Sequence, residues 1–237
     1  AAIKVGGHTI PPLFKLPGSL MLVKDLRHRG EKTERILQSI RTLVIDEISM
    51  VRADIMDAID HTLRQHRPNQ EHESFGGVRI IMIGDLRQLP PVVEKNVEKF
   101  FSGEKLPSLY PSEFFFHADV FRRGLNIETV KLTQIFRQTD PEFIGILEGV
   151  RENTLTAQQL EALNRQHDRT SWPHYDGPPR MTLCTTNQSA QNFNELKLHT
   201  LNSEEFSYEA TITGSFDEES FPAERINKVM AGAQVMM

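Results

Sequence analysis

Leu43-Val44-Ile45-Asp46-Glu47 and, farther along, Ile80-Ile81-Met82-Ile83-Gly84-Asp85 running into Leu86-Arg87-Gln88-Leu89-Pro90-Pro91 are the stretches that decide the fold. Each is a short, unbroken run of Leu, Val, Ile and Met that ends in acid. Such runs suit strands of a parallel sheet covered on both faces by helices. Ligands of such sheets bind beyond the carboxyl ends of the strands. At that edge Asp46 can hold a Mg²⁺ ion, directly or through water, and Glu47 can orient and deprotonate a water aimed at phosphorus. Gln88 is both donor and acceptor. On the loop after the neighbouring strand it can touch a terminal phosphate and that same water. The Asp-Glu pair alone equally fits two solvated residues at a strand end. Gly84-Asp85 and Gln88 are what turn the reading toward nucleotide chemistry.

Working outward, residues Arg52 to His66 read as a helix, with Val51, Ile55, Ile59 and Leu63 on one stripe and Pro68 as its stop. The polar stretch Asn69 to Gly77 then returns the chain to the second strand as a surface loop. The result is a strand, helix, loop, strand unit of α/β class. Beyond it, Glu128 to Leu132 reads as a strand. Asp140-Pro141 supplies an N-cap and a first-turn proline for a helix through Ile144, Leu147 and Val150. Thr156 with Gln159 forms a capping box for the next helix. Residues Thr170 to Pro179 read as a loop, Met181 to Thr185 as a strand, and Asn187 as a cap of the helix carrying Ala190, Phe193, Leu196 and Leu201. No internal repeat or low-complexity tract is visible.

Composition bounds the function. With 237 residues and 38% apolar content the chain can bury a real core, and its length is compatible with two domains. The single cysteine, Cys184, excludes an internal disulfide framework. No apolar run approaches a membrane span or signal sequence, so a soluble, reducing compartment is expected. The net charge of −5 argues against a generally basic coat for nucleic acid but leaves room for a local basic groove. His61, His66 and His72 lack the spacing of a zinc site. Cys184, in an apolar run, is expected to pack rather than react.

Arg137, in Leu132-Thr133-Gln134-Ile135-Phe136-Arg137-Gln138, has two readings. Its guanidinium can cross a cleft to neutralise charge on a phosphoryl group in transfer, or it can pair with Asp140 or Glu142. Stacking sites for nucleic-acid bases need aromatic side chains beside a basic track. Lys24, Arg27, His28, Lys32 and Arg35 fall at helical spacing and fit either such a track or a solvated helix face. Phe114-Phe115-Phe116 with Phe121 fits core packing better than stacking. Trp172, His174 and Tyr175 lie in a loop and fit either role. Thr185, Thr186 and Asn187 can hold phosphates through hydroxyl and amide groups, although a helix cap explains Asn187 equally well.

Three elements together, Asp46-Glu47-Ile48-Ser49-Met50, Gly84-Asp85-Leu86-Arg87-Gln88-Leu89-Pro90-Pro91-Val92 and Phe136-Arg137-Gln138, resemble the Walker B motif, motif III and motif IV of the Pif family of superfamily 1 DNA helicases. Ala1 to Ile10 is similar to that family's motif Ia, which touches single-stranded DNA. Pro11 stands where members often have His, and proline offers neither a side-chain donor nor a backbone N–H.

The resemblance implies a P-loop NTPase (RecA-like) fold of parallel sheets flanked by helices, as incomplete tandem RecA-like domains. Residues 1–128 would form a partial first domain with a small wedge-like insertion around 16–38. Residues 129–237 would form a partial second domain, cut at the start of an inserted SH3-like subdomain. ATP with Mg²⁺ would sit between the domains and contact Asp46, Glu47, Asp85, Gln88 and Arg137. Single-stranded DNA and junctions with duplex would contact Thr9, Ile10, Phe14, Pro90, Pro91, Thr185 and Asn187. The implied activity is ATP-driven 5′-to-3′ translocation and unwinding by a monomeric motor. A bacterial protein would be cytoplasmic; a eukaryotic one nuclear or mitochondrial.

No Gly-x-x-x-x-Gly-Lys-Ser/Thr phosphate loop occurs in these 237 residues, and no glycine is followed by lysine. The family's later motifs, a Ser-Gln-Gly-type element and a second arginine, are likewise missing. The expectation is a fragment that hydrolyses ATP negligibly by itself. Two alternatives stand beside the Pif-type motor: a RecD-type helicase subunit of a recombination nuclease, and a degenerate RecA-like module that binds without turnover.

Overall fold

A computed structural model describes residues 7–14, 16, 31–93, 98–101, 109–166, 181–213 and 224–235. The chain divides into two compact units, Ala1–Gln159 and Leu160–Met237. Lys24, Arg27, His28, Trp172, His174 and Tyr175 lie outside the described residues, as does much of the wedge-like insertion.

The first unit begins with a short helix α1 (Ile10–Phe14), then α2 (Glu31–Ser39), strand β1 (Thr42–Ile45) and helix α3 (Ala53–Gln65). Strand β2 (Arg79–Met82), the short α4 (Asp119–Arg122) and α5 (Pro141–Glu152) complete it. β1 and β2 pair in parallel, Leu43 opposite Ile80 and Ile45 opposite Met82. Side chains alternate across a strand, so Leu43 and Ile45 enter the core while Val44 is 55% exposed, beside Ile81 at 42%. In place of the expected cover on both faces, the sheet is covered on one among the described residues.

α3 spans the predicted helix, with Arg52 and His66 as its flanking caps. The predicted stripe holds, since Val51, Ile59 and Leu63 are buried and Ile55 is partly so. What periodicity does not anticipate is burial of Asp54, Asp57, Asp60 and Thr62 on the same helix. A buried carboxylate needs partners, and each acid has them. Asp54 takes a two-point contact from Arg52 at 2.9 and 2.7 Å. Asp57 accepts the backbone N–H groups of Asp119 and Val120 at the start of α4. Asp60 accepts Arg64 Nε at 2.9 Å and the Phe75 N–H. Burial pushes the Asp57 carboxyl above its ordinary range against the pull of those hydrogen bonds, and it pushes the neighbouring Tyr110 hydroxyl up as well.

The stretch predicted as a surface loop is more ordered than that. Pro68–Gln70 and Ser74–Gly77 form 3₁₀ turns, and Phe75 in the second of them is buried at φ 54°. Arg67 ties this return to the end of α2, donating to the carbonyls of Gly76, Gln38 and Ile40 at 2.7 to 3.0 Å. Phe115 and Phe121 pack edge to face against each other beside the core, as their apolar run suggests, and Phe116 is exposed.

α5 starts where predicted, with the Asp140 carboxylate accepting the N–H of Glu142 at 2.9 Å and of Phe143 at 3.3 Å. The capping box also forms, Thr156 N–H donating to Gln159 Oε1 and Gln159 N–H to Thr156 Oγ1, at the head of α6 (Ala157–Asn164). Neither Glu128–Leu132 nor Met181–Thr185 is a strand. An extended segment becomes one only when a neighbour satisfies its backbone groups, and the described residues supply none there.

In the second unit, α7 (Asn187–Leu198) is followed by β3 (Glu205–Glu209), antiparallel to β4 (Ile226–Met230). Thr186 rather than Asn187 is the N-cap of α7, its hydroxyl accepting the Ser189 N–H at 3.2 Å. Cys184, expected to pack, is exposed because its segment has no sheet to join among the described residues.

Candidate active site

Asp46 and Glu47 leave the carboxyl end of β1 in a turn that the next strand clamps. Ile83 N–H donates to Ile45 O at 2.9 Å, and Ile48 N–H returns a bond to Ile83 O at 2.9 Å. Between these two bonds the chain must reverse sharply, and Glu47 does so at φ 52°, ψ 46°. For a residue with a Cβ this left-handed conformation costs about 1–2 kcal/mol. The Asp46 Oδ1 steadies the turn by accepting the Glu47 N–H at 3.0 Å. Gly84 makes the clamp possible: a Cβ there would meet Ile48 N and Cγ2 at 3.0 Å. Glycine is needed for close approach here, not for its torsion.

Both acids stay exposed, and neither forms an ion pair among the described residues. The Ser49 hydroxyl, by contrast, is buried behind the turn with no hydrogen-bond partner among them.

The second strand's exit carries Gln88 on a turn built by Asp85. Asp85 O accepts Gln88 N–H at 3.0 Å and Asp85 Oδ1 accepts Arg87 N–H at 3.1 Å. The other oxygen, Oδ2, takes Arg151 Nε from α5 at 3.1 Å. The Arg87 N–H, the Arg151 guanidinium and the Gln88 side chain hold the Asp85 carboxyl below its usual range. The carboxylate expected to contact nucleotide is therefore engaged by protein donors. Arg87, Arg151 and Glu152 escape the sequence reading because no local spacing links a strand exit to a helix end so far along the chain.

The remaining candidates separate. Arg137 is exposed and makes no hydrogen bond or ion pair among the described residues, with Asp140 or Glu142 included. Thr9 is exposed and Ile10 partly buried, but Phe14 is 1% exposed in the core and offers no face for stacking. Its apolar neighbours in α1 turn it inward. Pro90 is exposed whereas Pro91 is buried, and Thr185 and Asn187 are exposed. No group of three or more His, Cys, Asp or Glu suited to a metal occurs among the described residues. No described helix is long and apolar enough to cross a membrane.

A family model described as PIF1-like helicase matches residues 1–142. The chain belongs to that family. It is 27% identical over 248 aligned residues to the ATP-dependent DNA helicase RRM3 of Saccharomyces cerevisiae, covering all of this chain and 32% of that protein. A Pif1 helicase from Bacteroides, solved in complex with ADP-AlF3 and single-stranded DNA, superposes with a TM-score of 0.79 at 37% identity, over 96% of this chain and 51% of the other. A second structure, of two coordinating Pif1 helicases at forked duplex DNA, superposes with a TM-score of 0.79 at 36% identity, over 98% of this chain and 53% of that one. The fold of this PIF1-like chain is accordingly RecA-like α/β. It spans about a third of the yeast relative's length and about half of each structure's.

Proposed function

We propose that this segment is part of an ATP-dependent DNA helicase that couples ATP hydrolysis to 5′-to-3′ movement on single-stranded DNA and to unwinding at its junctions with duplex. The observation that carries the reading is the clamped turn: Glu47 held left-handed at the carboxyl end of β1, its carboxylate open. Strain of this kind persists only where surrounding bonds enforce it, and it concentrates at working sites.

The roles follow from chemistry. Asp46 Oδ1 is engaged by the Glu47 N–H, which leaves Oδ2, a hard oxygen of the kind Mg²⁺ prefers, to hold the metal directly or through water. Mg²⁺ would supply charge neutralisation on the phosphates of ATP. Glu47 takes a proton from water, Gln88 reads the terminal phosphate, and Arg137 neutralises charge developing in transfer. Asp85 acts on the nucleotide through Gln88, which it holds. Thr9, Ile10, Pro90, Thr185 and Asn187 are the proposed DNA contacts. The proposed domain boundary lies at 128/129, within the first compact unit. We place the motor in the cytoplasm of a bacterium or the nucleus or mitochondrion of a eukaryote, working as a monomer. The Pif1 pair at forked DNA makes that last point worth testing first.

The experiment is ATP turnover by the full-length protein with and without single-stranded DNA, alongside Glu47→Gln. DNA-stimulated turnover that Glu47→Gln abolishes while nucleotide still binds supports the reading. Nucleotide-independent DNA binding with no turnover would replace it with a non-catalytic module.

A further inference from the structure

Arg151 and Glu152 end α5, outside the three sequence motifs that carry the family resemblance, yet they hold the turn that carries Gln88. Asp85 Oδ2 accepts Arg151 Nε at 3.1 Å, and the Arg87 guanidinium pairs with the Glu152 carboxylate. Arg87 Nη1 also donates to the Arg151 carbonyl at 3.3 Å, and Arg151 Nη1 lies 3.6 Å from Glu152 Oε1. The Asp85 carbonyl in turn accepts the Gln88 backbone N–H at 3.0 Å.

An isolated exposed ion pair contributes little. Here two acids and two arginines close a ring that a backbone carbonyl reinforces, and both ends of the ring are anchored in regular structure. One anchor is β2, the strand whose exit presents Gln88. The other is the last turn of α5, where Arg151 also suits the negative end of the helix. These contacts join the end of α5 directly to the turn that presents Gln88.

We propose that Arg87, Arg151 and Glu152 are positioning residues that latch the Asp85–Gln88 turn to α5, so that the phosphate state read by Gln88 and the position of α5 are mechanically linked. The proposal rests on the helicase reading for its function, since Gln88 is a sensor only if nucleotide binds. It assigns to α5 a coupling role that its sequence does not announce.

The test uses Arg87→Glu and Glu152→Arg, singly and combined, in the full-length protein. DNA-stimulated turnover is measured with kcat and KM for ATP resolved, and hydrogen exchange is followed at the amides of Arg87 and Gln88. Each single variant places like charges together and is expected to lower kcat about threefold with KM unchanged, while exchange at both amides rises. The combined variant restores opposite charges and should recover both readouts. Single variants at the unaltered rate, or a combined variant no better than either single one, would overturn the latch. If the unaltered protein shows no DNA-stimulated turnover, the helicase reading falls and the latch with it. Turnover intact in every variant overturns the latch alone.

Discussion

The carboxylate of Asp57 on α3 caps α4 from 63 residues away, its Oδ1 accepting the Val120 N–H at 3.0 Å. Its second oxygen takes the Asp119 N–H at 2.9 Å. Four backbone donors at a helix start lack partners within the helix, and here a buried acid from another element supplies two acceptors. Asp57→Ala leaves those donors unsatisfied in a buried place and should cost about 2 kcal/mol. Urea unfolding of the chain measures it. An unchanged midpoint would mean that water replaces the carboxylate without loss.

The same group makes a signed pH prediction. Burial raises its folded pKa above the ordinary 3.8, so the folded state binds this proton more tightly than the unfolded one. The stability it contributes is full below the unfolded value and is lost as pH rises through the folded value. Asp57→Asn cannot titrate, so the stability of the unaltered chain relative to this variant should fall as pH rises through the window just above 3.8. Asp85 and Glu152, both lowered by their hydrogen-bonding partners, act in the opposite sense and lose their contribution as pH falls. They are common to both proteins and cancel in the difference. A difference that grows with pH would reverse the assignment.

Glu47 sits at φ 52°, which sets stability against catalysis. Glu47→Gly relieves the left-handed strain and should raise unfolding stability by about 1 kcal/mol. The same change removes the proposed base, so the full-length protein carrying it should turn over no ATP. Glu47→Gln keeps the strain and should retain nucleotide binding without hydrolysis. If the Glu47→Gly variant proved no more stable than the unaltered chain, the torsion would carry no cost.

Much of this arrangement is legible in the sequence because it is local. β1, β2, α3, the Asp140-Pro141 start and the Thr156–Gln159 box all rest on periodicities or spacings a few residues long. What fails needs a distant partner. The acids of α3 carry no local sign of burial, because the backbone groups of Asp119, Val120 and Phe75 that satisfy Asp57 and Asp60 lie far from them along the chain. Phe14 stands as a DNA contact implied by the family resemblance until the core closes over it, and residues 128–132 read as a strand although nothing among the described residues pairs with them. At the site, residue types are readable but the left-handed Glu47 is not. That torsion is imposed by the bonds between Ile45, Ile83 and Ile48.

Arg137 separates function from stability cleanly. It is exposed and has no ion-pair partner among the described residues, so Arg137→Ala should shift unfolding by less than about 0.5 kcal/mol. In the full-length protein the same substitution should lower kcat by roughly 10³ to 10⁵. A stability loss with kcat intact would assign the residue to packing in the assembled protein.

Gly84 tests the clamp itself. A methyl group at this position meets the Ile48 nitrogen and Cγ2 at 3.0 Å, tighter than most carbon contacts, so a neighbour must give by a few tenths of an ångström. The side-chain atom can rotate away, but the nitrogen belongs to the turn and is already bonded to Ile83 O at 2.9 Å. Relief therefore stretches that bond and opens the Asp46–Glu47 turn. Gly84→Ala should cost about 1–3 kcal/mol in unfolding. Because the opened turn lets Glu47 relax from its left-handed torsion, catalysis should fall further than stability does. The measurement is kcat for ATP at a temperature where the variant is fully folded, compared with Gly84→Ser as a second small side chain. Full activity in a folded Gly84→Ala protein would show that the close approach of the two strand ends is a packing feature without influence on Glu47.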